Sequence, residues 1–263
     1  MSEDGYNYKL ETKSTEAQIA EREKIAKLFQ ERPMPDEHLL VSLGLYMRSS
    51  ALIKILFINE LYGMIKDIPG VIMEMGVWWG QNLALFENLR AIYEPFNQSR
   101  RVIGFDTFQG YVGISDEDKP SADAGFESFS DVVKEGGYSV SKGYREYLMD
   151  LLRAHEGNNV MGTIQKHSVV EGDVVETVPR YFDEHPETIV ALAYLDLALY
   201  GPTKTCLESL LPNLVPGSVL VLDELNYPEA SGETIAFKEV FEGVSYKIKN
   251  SSLIPDKAIV TIC

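Results

Sequence analysis

The chain has 263 residues, 45% of them hydrophobic, and a formal net charge of −16. That length suits one α/β domain with additions, and a field so negative disfavours nucleic acid and membrane surfaces as partners. The two cysteines, Cys206 and Cys263, form no CxxC pair and build no disulfide framework, so a reducing, cytoplasmic setting is expected.

Residues 1–14 are polar and are expected to lie loosely on the surface, with no apolar core of a signal peptide. The longest apolar stretch, 51–58, contains Lys54 and is too short to span a bilayer. Helical spacing of Ile19, Ile25, Ala26, Leu28 and Phe29 predicts a helix over 15–31, stopped by Pro33 and Pro35. Further helices are expected over 37–47 and 49–66, the second capped by Ser49 or Ser50. Asp67-Ile-Pro-Gly70 is a stop signal, so a helical region over 1–69, packing on the core, precedes an α/β domain over 70–263.

From Val71 the pattern becomes strand–helix alternation, which predicts a doubly wound, mostly parallel sheet. The first strand, Val71-Ile-Met-Glu-Met75, is nearly all apolar, as in a sheet covered on both faces. Gly76 and Gly80 bracket the turn into a helix over 81–93. A second strand over 101–105 ends in Asp106. Residues 107–158 are too long for a plain crossover and predict a lid insertion over the carboxyl edge, helical over 142–155. A third strand is expected over 162–170, then Gly172-Asp173 and a short helix around Pro179. The fourth strand, 189–195, ends in Asp196, and a helix follows over 202–211. The fifth, 217–222, ends in Asp223-Glu224 and is followed by a helix over 233–241. Alternation over 244–249 and 258–262 predicts an antiparallel pair closing the sheet edge.

The acids share one position. Glu74, Asp106, Asp173, Asp196, Asp223 and Glu224 all stand at or near strand carboxyl ends, where open α/β sheets bind ligands. A solvated acidic face explains any one of them, but an acid closing an apolar run is otherwise costly. Asp106 is placed to accept ribose hydroxyls, and Gly172-Asp173 to hold an adenine edge. The first turn lacks Gly-x-Gly-x-x-Gly, and an acid with two tryptophans beside it suits a cationic ligand such as a sulfonium, not a phosphate.

Five motifs then carry a resemblance: Glu-Met-Gly-Val-Trp-Trp-Gly over 74–80, Gly-Phe-Asp-Thr-Phe-Gln-Gly over 104–110, Gly-Asp-Val-Val-Glu-Thr-Val-Pro over 172–179, Leu-Asp-Leu-Ala-Leu-Tyr-Gly-Pro-Thr over 195–203, and Pro-Gly-Ser-Val-Leu-Val-Leu-Asp-Glu over 216–224. Together, and in this order, they resemble the macrocin, mycinamicin and novobiocin sugar O-methyltransferases (TylF/MycF/NovP type), over about residues 40–262. The resemblance implies a class I S-adenosylmethionine-dependent methyltransferase fold, Rossmann-like, with an antiparallel C-terminal edge strand, N-terminal helices and a lid insertion at about 107–158.

The resemblance also implies roles. Glu74, Met75, Gly76, Val77 and Trp78 would line the methionine end of the cofactor, and Asn82 stands where the family tends to have a small hydroxyl residue near its carboxylate. Asp106, with Thr107 beside it, would hold the ribose, and Gly172 and Asp173 the adenine. Asp196, which also borders the cofactor, and Asp223 match the family's Mg²⁺ ligands, and Glu224 stands where a second Asp is usual. Asp196 and Glu224 are the catalytic candidates. The family usually reads Asp-x-Asp after the fourth strand, whereas this chain reads Asp196-Leu-Ala198. Mg²⁺ often uses only one or two carboxylates, so Asp196, Asp223 and Glu224 could still hold it. A metal would acidify a substrate hydroxyl, and without one another base must supply roughly 10²–10⁴-fold.

The expected activity is therefore S-adenosylmethionine-dependent O-methylation of a small hydroxylated substrate, a sugar or sugar-bearing natural product on family grounds, by a homodimer. Two alternatives stay open. A Rossmann-type sugar-nucleotide oxidoreductase shares the sheet but needs phosphate-binding glycine turns. A catalytically inactive cofactor-binding homologue draws support from Ala198. The histidines, His38, His155, His167 and His185, are dispersed and offer no zinc spacing. His167 reads as a core histidine, with a cleft-facing role as the other reading. One of Trp78 and Trp79 should pack inward while the other meets the cofactor. Tyr111 and Tyr200 stand beside cleft motifs, where packing and substrate contact are both open. Glu233 either complements a helix dipole or reaches the Asp223 turn.

Overall fold

The computed structural model describes residues 14–119, 133–227 and 231–263. The expected loose segment up to residue 13 and the middle of the lid insertion, 120–132, lie outside them. The chain forms two compact units, one comprising residues 9–56 and one built on 57–263.

In the first unit, α1 (Glu16–Gln30) starts at a capping box, in which the Thr15 side chain accepts from Gln18 N–H and the Gln18 side chain returns the bond. The helix expected over 37–47 is instead one α-helical turn, α2 (Asp36–Leu39), continued as a 3₁₀ stretch, Leu40–Leu45. None of the described residues of this unit is fully buried, so little packing enforces a regular helix there. α3 (Ser49–Ile65) continues from this unit into the next. Among the described residues no single helix is long and apolar enough to cross a membrane.

The larger unit is a mixed seven-stranded sheet in the order β3-β2-β1-β4-β5-β7-β6. Its strands are β1 (Val71–Met75), β2 (Val102–Asp106), β3 (His167–Glu171), β4 (Val190–Leu195), β5 (Leu214–Leu222), β6 (Tyr246–Asn250) and β7 (Ala258–Ile262). The first five are parallel; β7 runs antiparallel beside β5, and β6 forms the outer edge. α4 (Gln81–Tyr93), α5 (Tyr144–Gly157) and the end of α3 pack on one face, around Phe57, Leu61, Phe86 and Leu152. α6 (Val174–Glu184), α7 (Tyr200–Leu210) and α8 (Ser231–Val240) cover the other, around Val178, Leu207 and Phe237. Burial on both faces is why β1 and β4 carry almost unbroken apolar runs.

Two expectations need correction. β3 starts at His167, because the chain before it is held in turns in which Gly162 N–H donates to Asn159 O and Ile164 N–H to Met161 O, both at 3.1 Å. The helix around Pro179 is not short: α6 runs on both sides of it. Its buried face of Val174, Thr177, Val178 and Tyr181 outweighs the one backbone bond that proline removes.

The carboxyl ends of the parallel strands are stitched together beyond the regular ladder. Gly172 N–H donates to Asp106 O, Gly76 N–H to Phe105 O, Asp196 N–H to Met75 O and Asp223 N–H to Leu195 O, at 3.0, 3.0, 2.9 and 3.2 Å. The first residue beyond each strand is thereby held in line with its neighbours, and the acids expected at a common edge share one.

Candidate active site

The first turn is built around Gly76. Its φ is +87°, and a Cβ there would lie 2.0 Å from the Asp196 carbonyl oxygen, so only glycine lets β1 and β4 end this close together. Trp78 follows at φ +49°. Val77 and Trp78 N–H donate to Asp106 Oδ2 at 2.6 and 2.7 Å, and Phe108 N–H donates to Oδ1 at 2.6 Å. Burial pushes the Asp106 carboxyl up, and the three amides oppose it. The amides that face a pyrophosphate in a dinucleotide-binding fold are here occupied by the chain's own carboxylate.

Glu74 is buried at 2% exposure and accepts from Asn82 Nδ2 at 2.8 Å, which joins the end of β1 to the first turn of α4. The side chains of Met75 and Val77 belong to the two core layers, so what they present to the cleft is backbone. Trp78 and Trp79 both half-pack against the core. Trp78 meets the Tyr138 ring at 6.0 Å, and Tyr138 meets Tyr111 at 5.3 Å, both edge to face. Trp79 meets Tyr144, whose hydroxyl donates to Trp79 O at 3.0 Å.

Beside β2, Thr107 Oγ1 donates to Gly110 O and accepts from Gln109 N–H, at 2.8 and 3.1 Å. Beside β3, Gly172 leads into Asp173, which caps α6 by accepting from Val175 N–H at 2.9 Å. Asp173 therefore has a structural task that the sequence reading did not include.

Asp196, Asp223 and Glu224 converge, with one carboxylate oxygen from each within 4.8 Å of the others. Asp223 Oδ1 accepts from the Tyr194 hydroxyl at 2.8 Å, and Oδ2 accepts from Lys257 Nζ at 2.6 Å. Glu224 N–H donates to Glu233 Oε1 at 2.9 Å. Glu233 is fully buried, so a fourth carboxylate stands behind the three. Burial and then the charge of Glu233 push the Glu224 carboxyl well up, and burial followed by Asp223 does the same to Glu233. Burial and the negative charges of Glu224, Asp196 and Asp223 raise the Tyr111 phenol, which places its ring beside this cluster.

The insertion crosses the edge here. Tyr111 N–H donates to Gly137 O, and Gly136 N–H to Tyr111 O, both at 2.9 Å, so the two described limbs are tied together. Asp118, fully buried, accepts from Tyr200 N–H at the start of α7 at 2.6 Å, and Ser231 Oγ at the start of α8 donates to Glu117 O and Lys119 O. Strain concentrates at the same edge. Among the described non-glycine residues at positive φ, Trp78, Phe108, Ala198 and Asn226 follow strand carboxyl ends, Tyr138 packs on Trp78, and Met161 lies elsewhere.

The other residues weighed in the sequence divide. Tyr200 points to the helical surface and donates to Glu239 Oε2 at 2.8 Å. His167 lies in the core beside Glu87, at 3.0 Å. Glu233 reaches the Asp223 turn after all. Tyr194, Lys257 and Asp118 were not anticipated. Their partners lie 29, 34 and 82 residues away, and no local pattern announces them.

The profile of the macrocin O-methyltransferase (TylF) family matches residues 58–248. No curated protein sequence matches the chain. Among solved structures, the chain is similar to CalS11, a calicheamicin methyltransferase, at 37% identity and a TM-score of 0.86, covering 99% of each chain. An apo structure of CalS11, described as a TDP-rhamnose 3'-O-methyltransferase of calicheamicin biosynthesis, matches at 36% identity and a TM-score of 0.78, over 95% of this chain and 96% of that one. The O-methyltransferase NovP shares the fold at 17% identity and a TM-score of 0.57, over 80% and 79%.

Proposed function

This chain belongs to the TylF macrocin O-methyltransferase family and is an S-adenosylmethionine-dependent O-methyltransferase; from that premise we propose that it methylates a hydroxyl of a deoxysugar linked to a nucleoside diphosphate. The choice of acceptor is supported by the 37% identity, over 99% of both chains, to CalS11, whose apo structure is described as a TDP-rhamnose 3'-O-methyltransferase. The observation that carries the reading is the meeting of Asp196, Asp223 and Glu224 within 4.8 Å, on the same stitched edge as the Asp106-clamped turn.

In this reading Glu74, the backbone of Met75, Gly76 and Val77, Trp78 and Asn82 form the methionine end of the cofactor site. Asp106 and Thr107 receive the ribose. Oδ1 of Asp106 takes one amide and Oδ2 two, so Oδ1 is the oxygen left for a ribose hydroxyl. Gly172 and the oxygen of Asp173 not used in capping face the adenine. The bound cofactor supplies an electrophilic methyl group on a sulfonium. Carboxylates around the cleft favour that cation, while Trp78, Tyr138 and Tyr111 exclude water from it.

Asp196 borders both cofactor and acceptor and is the group to orient the attacking hydroxyl and take its proton, with Glu224 beside it. The residues also fit Mg²⁺. Hard oxygen donors converge, and Glu224 Oε2 is buried with no hydrogen-bond partner. Asp196, Asp223 and Glu224 would hold the ion, which acidifies an acceptor hydroxyl when bound. The loss of an acid at Ala198 is tolerable for an ion that keeps several waters. Beyond this, rate comes from placing hydroxyl and methyl in line.

Two coarser expectations join the proposal. The chain is a homodimer, to which exposed apolar residues such as Leu40 and Val41 contribute, and it works in the cytoplasm, where both free thiols persist. Sedimentation velocity tests the first.

The functional test is methyl transfer from labelled cofactor to TDP-rhamnose, free rhamnose and a rhamnosylated natural product, read by mass spectrometry with and without EDTA. Methylated TDP-rhamnose, lost with EDTA, is expected. Product from another acceptor only would overturn the acceptor class, and EDTA-insensitive turnover would overturn the ion. No product from any acceptor, with S-adenosylhomocysteine still bound, would favour the inactive homologue.

A further inference from the structure

Lys257 lies outside every motif, yet its ammonium enters the acid cluster. It is placed by the loop between β6 and β7, and that loop is stiff. Lys257 N–H donates to Ile254 O at 3.0 Å, Ser251 N–H donates to Lys257 O at 2.9 Å, and the Ser251 hydroxyl accepts from Leu253 and Ile254 N–H at 3.1 and 3.2 Å. Leu253 and Ile254 pack against the core. The backbone is therefore fixed, and only the four-carbon stem of the lysine is free to move.

The ammonium reaches Asp223 twice, at Oδ2 (2.6 Å) and at the backbone oxygen (3.2 Å), with side-chain exposures of 18% for Lys257 and 12% for Asp223. Asp223 Oδ1 is held by Tyr194, whose phenol burial keeps neutral. Lys257 brings a positive charge into the group of Asp196, Asp223, Glu224 and Glu233 through its ion pair with Asp223. Asp256 Oδ2 lies 3.6 Å from the same ammonium on the solvent side, with 61% exposure. Lys257 thus has one carboxylate partner inside the cleft and another outside it.

We propose that Lys257 is a built-in stand-in for the divalent ion, paired with Asp223 when the site is free of metal and displaced toward Asp256 when an ion takes the Asp223 oxygen. The proposal rests on the reading of Asp196, Asp223 and Glu224 as ion ligands. Physically, three converging acids backed by Glu233 favour a cation in either state. A monovalent ammonium on a flexible stem supplies one without blocking entry, and its removal from Asp223 is work that binding must do. Lys257 then sets the affinity of the site for metal, in a direction opposite to that of a residue that merely orients Asp223.

The test is Mn²⁺ binding, followed by electron paramagnetic resonance of free Mn²⁺ and by calorimetry, on the full chain and its variants. Lys257→Met should bind Mn²⁺ tighter by about tenfold or more, because a competing positive charge leaves the cluster. Lys257→Arg keeps the charge and should stay close to wild type. Asp256→Asn removes the outer partner and should weaken binding by about threefold, the scale of an exposed ion pair. Equal or weaker binding by Lys257→Met overturns the inference. If that variant does not fold, Asp256→Asn decides, and an affinity equal to wild type overturns it. Should wild-type protein itself bind no Mn²⁺, the ion-ligand reading fails first and the stand-in role with it, an outcome distinct from the other two.

Discussion

The molecule gathers two groups of charged residues, one buried in the core and one part-exposed at the cleft. The first joins α4, α5 and the start of β3: Glu87, Arg90, Glu156, Lys166 and His167, each at 4% exposure or less. The second is Asp196, Asp223, Glu224 and Glu233 at the opposite ends of the strands. Both satisfy the distances a metal ion requires, since Glu87, Glu156 and His167 also offer atoms within 4.8 Å of one another. Ligand spacing does not separate them, but burial and charge do. Glu156 takes Arg90 on both oxygens, at 2.8 and 2.7 Å, and Lys166 at 2.8 Å, so the first group is balanced from within. The second has four carboxylates and Lys257. The carboxyls respond in opposite directions. Burial alone would push Glu156 up, but bonds from Lys166 and Arg90 hold it below the usual range, whereas Glu224 and Glu233 are pushed well above it. Among the described residues, the first group is balanced and holds the fold together, whereas the second carries an excess of carboxylates that favours a bound cation.

The largest expected effect is on rate. Asp196→Asn should lower kcat/KM by roughly 10²–10⁴-fold, the range of a lost general base, while thermal stability stays level or rises because a like charge has gone. Steady-state kinetics with a melting curve checks both. A variant that lost stability instead would place Asp196 among the structural acids. Glu156→Gln should do the reverse, costing about 3–5 kcal/mol in urea unfolding by leaving buried cations unpaired, with folded variant keeping its kcat. The sign of the pH dependence follows. The folded-state value of Glu156 is depressed, so its contribution is present above the ordinary carboxylate value of 4.5 and is lost as pH falls through the folded one. Wild type and Glu156→Gln should converge in stability toward acid. A gap that persisted or widened there would break the contrast.

Most of the scaffold could be read from the chain because its signals are local. Apolar runs ended by Gly76, Asp106, Asp196 and Asp223 mark the strand ends, and the stops at Gly80 and Tyr93 bound α4 as expected. The misreadings have different causes: packing overruled the local cue at Pro179 inside α6, turn bonds delayed β3, and a lack of burial left 37–47 without a regular helix. The edge acids could be read for the same reason as the strands: a charge that closes an apolar run stands out. Their partners could not. That Asp106 would take the amides of Val77 and Trp78 depends on the parallel register of β1 and β2. That Lys257 would meet Asp223 depends on β7 lying beside β5 with Leu222 opposite Ala258. A register is a property of the assembled sheet, and Pro255-Asp-Lys257 taken alone is only a turn.

The smallest expected effect, and the sharpest on the contrast, is at Glu233. Its Oε1 accepts from Glu224 N–H, its Oε2 is buried with no hydrogen-bond partner, and burial followed by Asp223 raises its carboxyl well above the ordinary value. A group raised in the folded state contributes stability that is present below the ordinary value and is lost as pH rises through the folded one. Glu233→Gln keeps an acceptor for the Glu224 amide and removes the charge. It should therefore melt close to wild type near pH 5 and above it at pH 8, by about 2–4 °C, the shift that about 1 kcal/mol makes in a protein of this size. Adding Mg²⁺ should narrow that difference, since an ion offsets the same repulsion in wild type that the substitution removes. A melting temperature that fell at pH 8 would mean that Glu233 is already balanced, and the contrast in charge between the two groups would be lost.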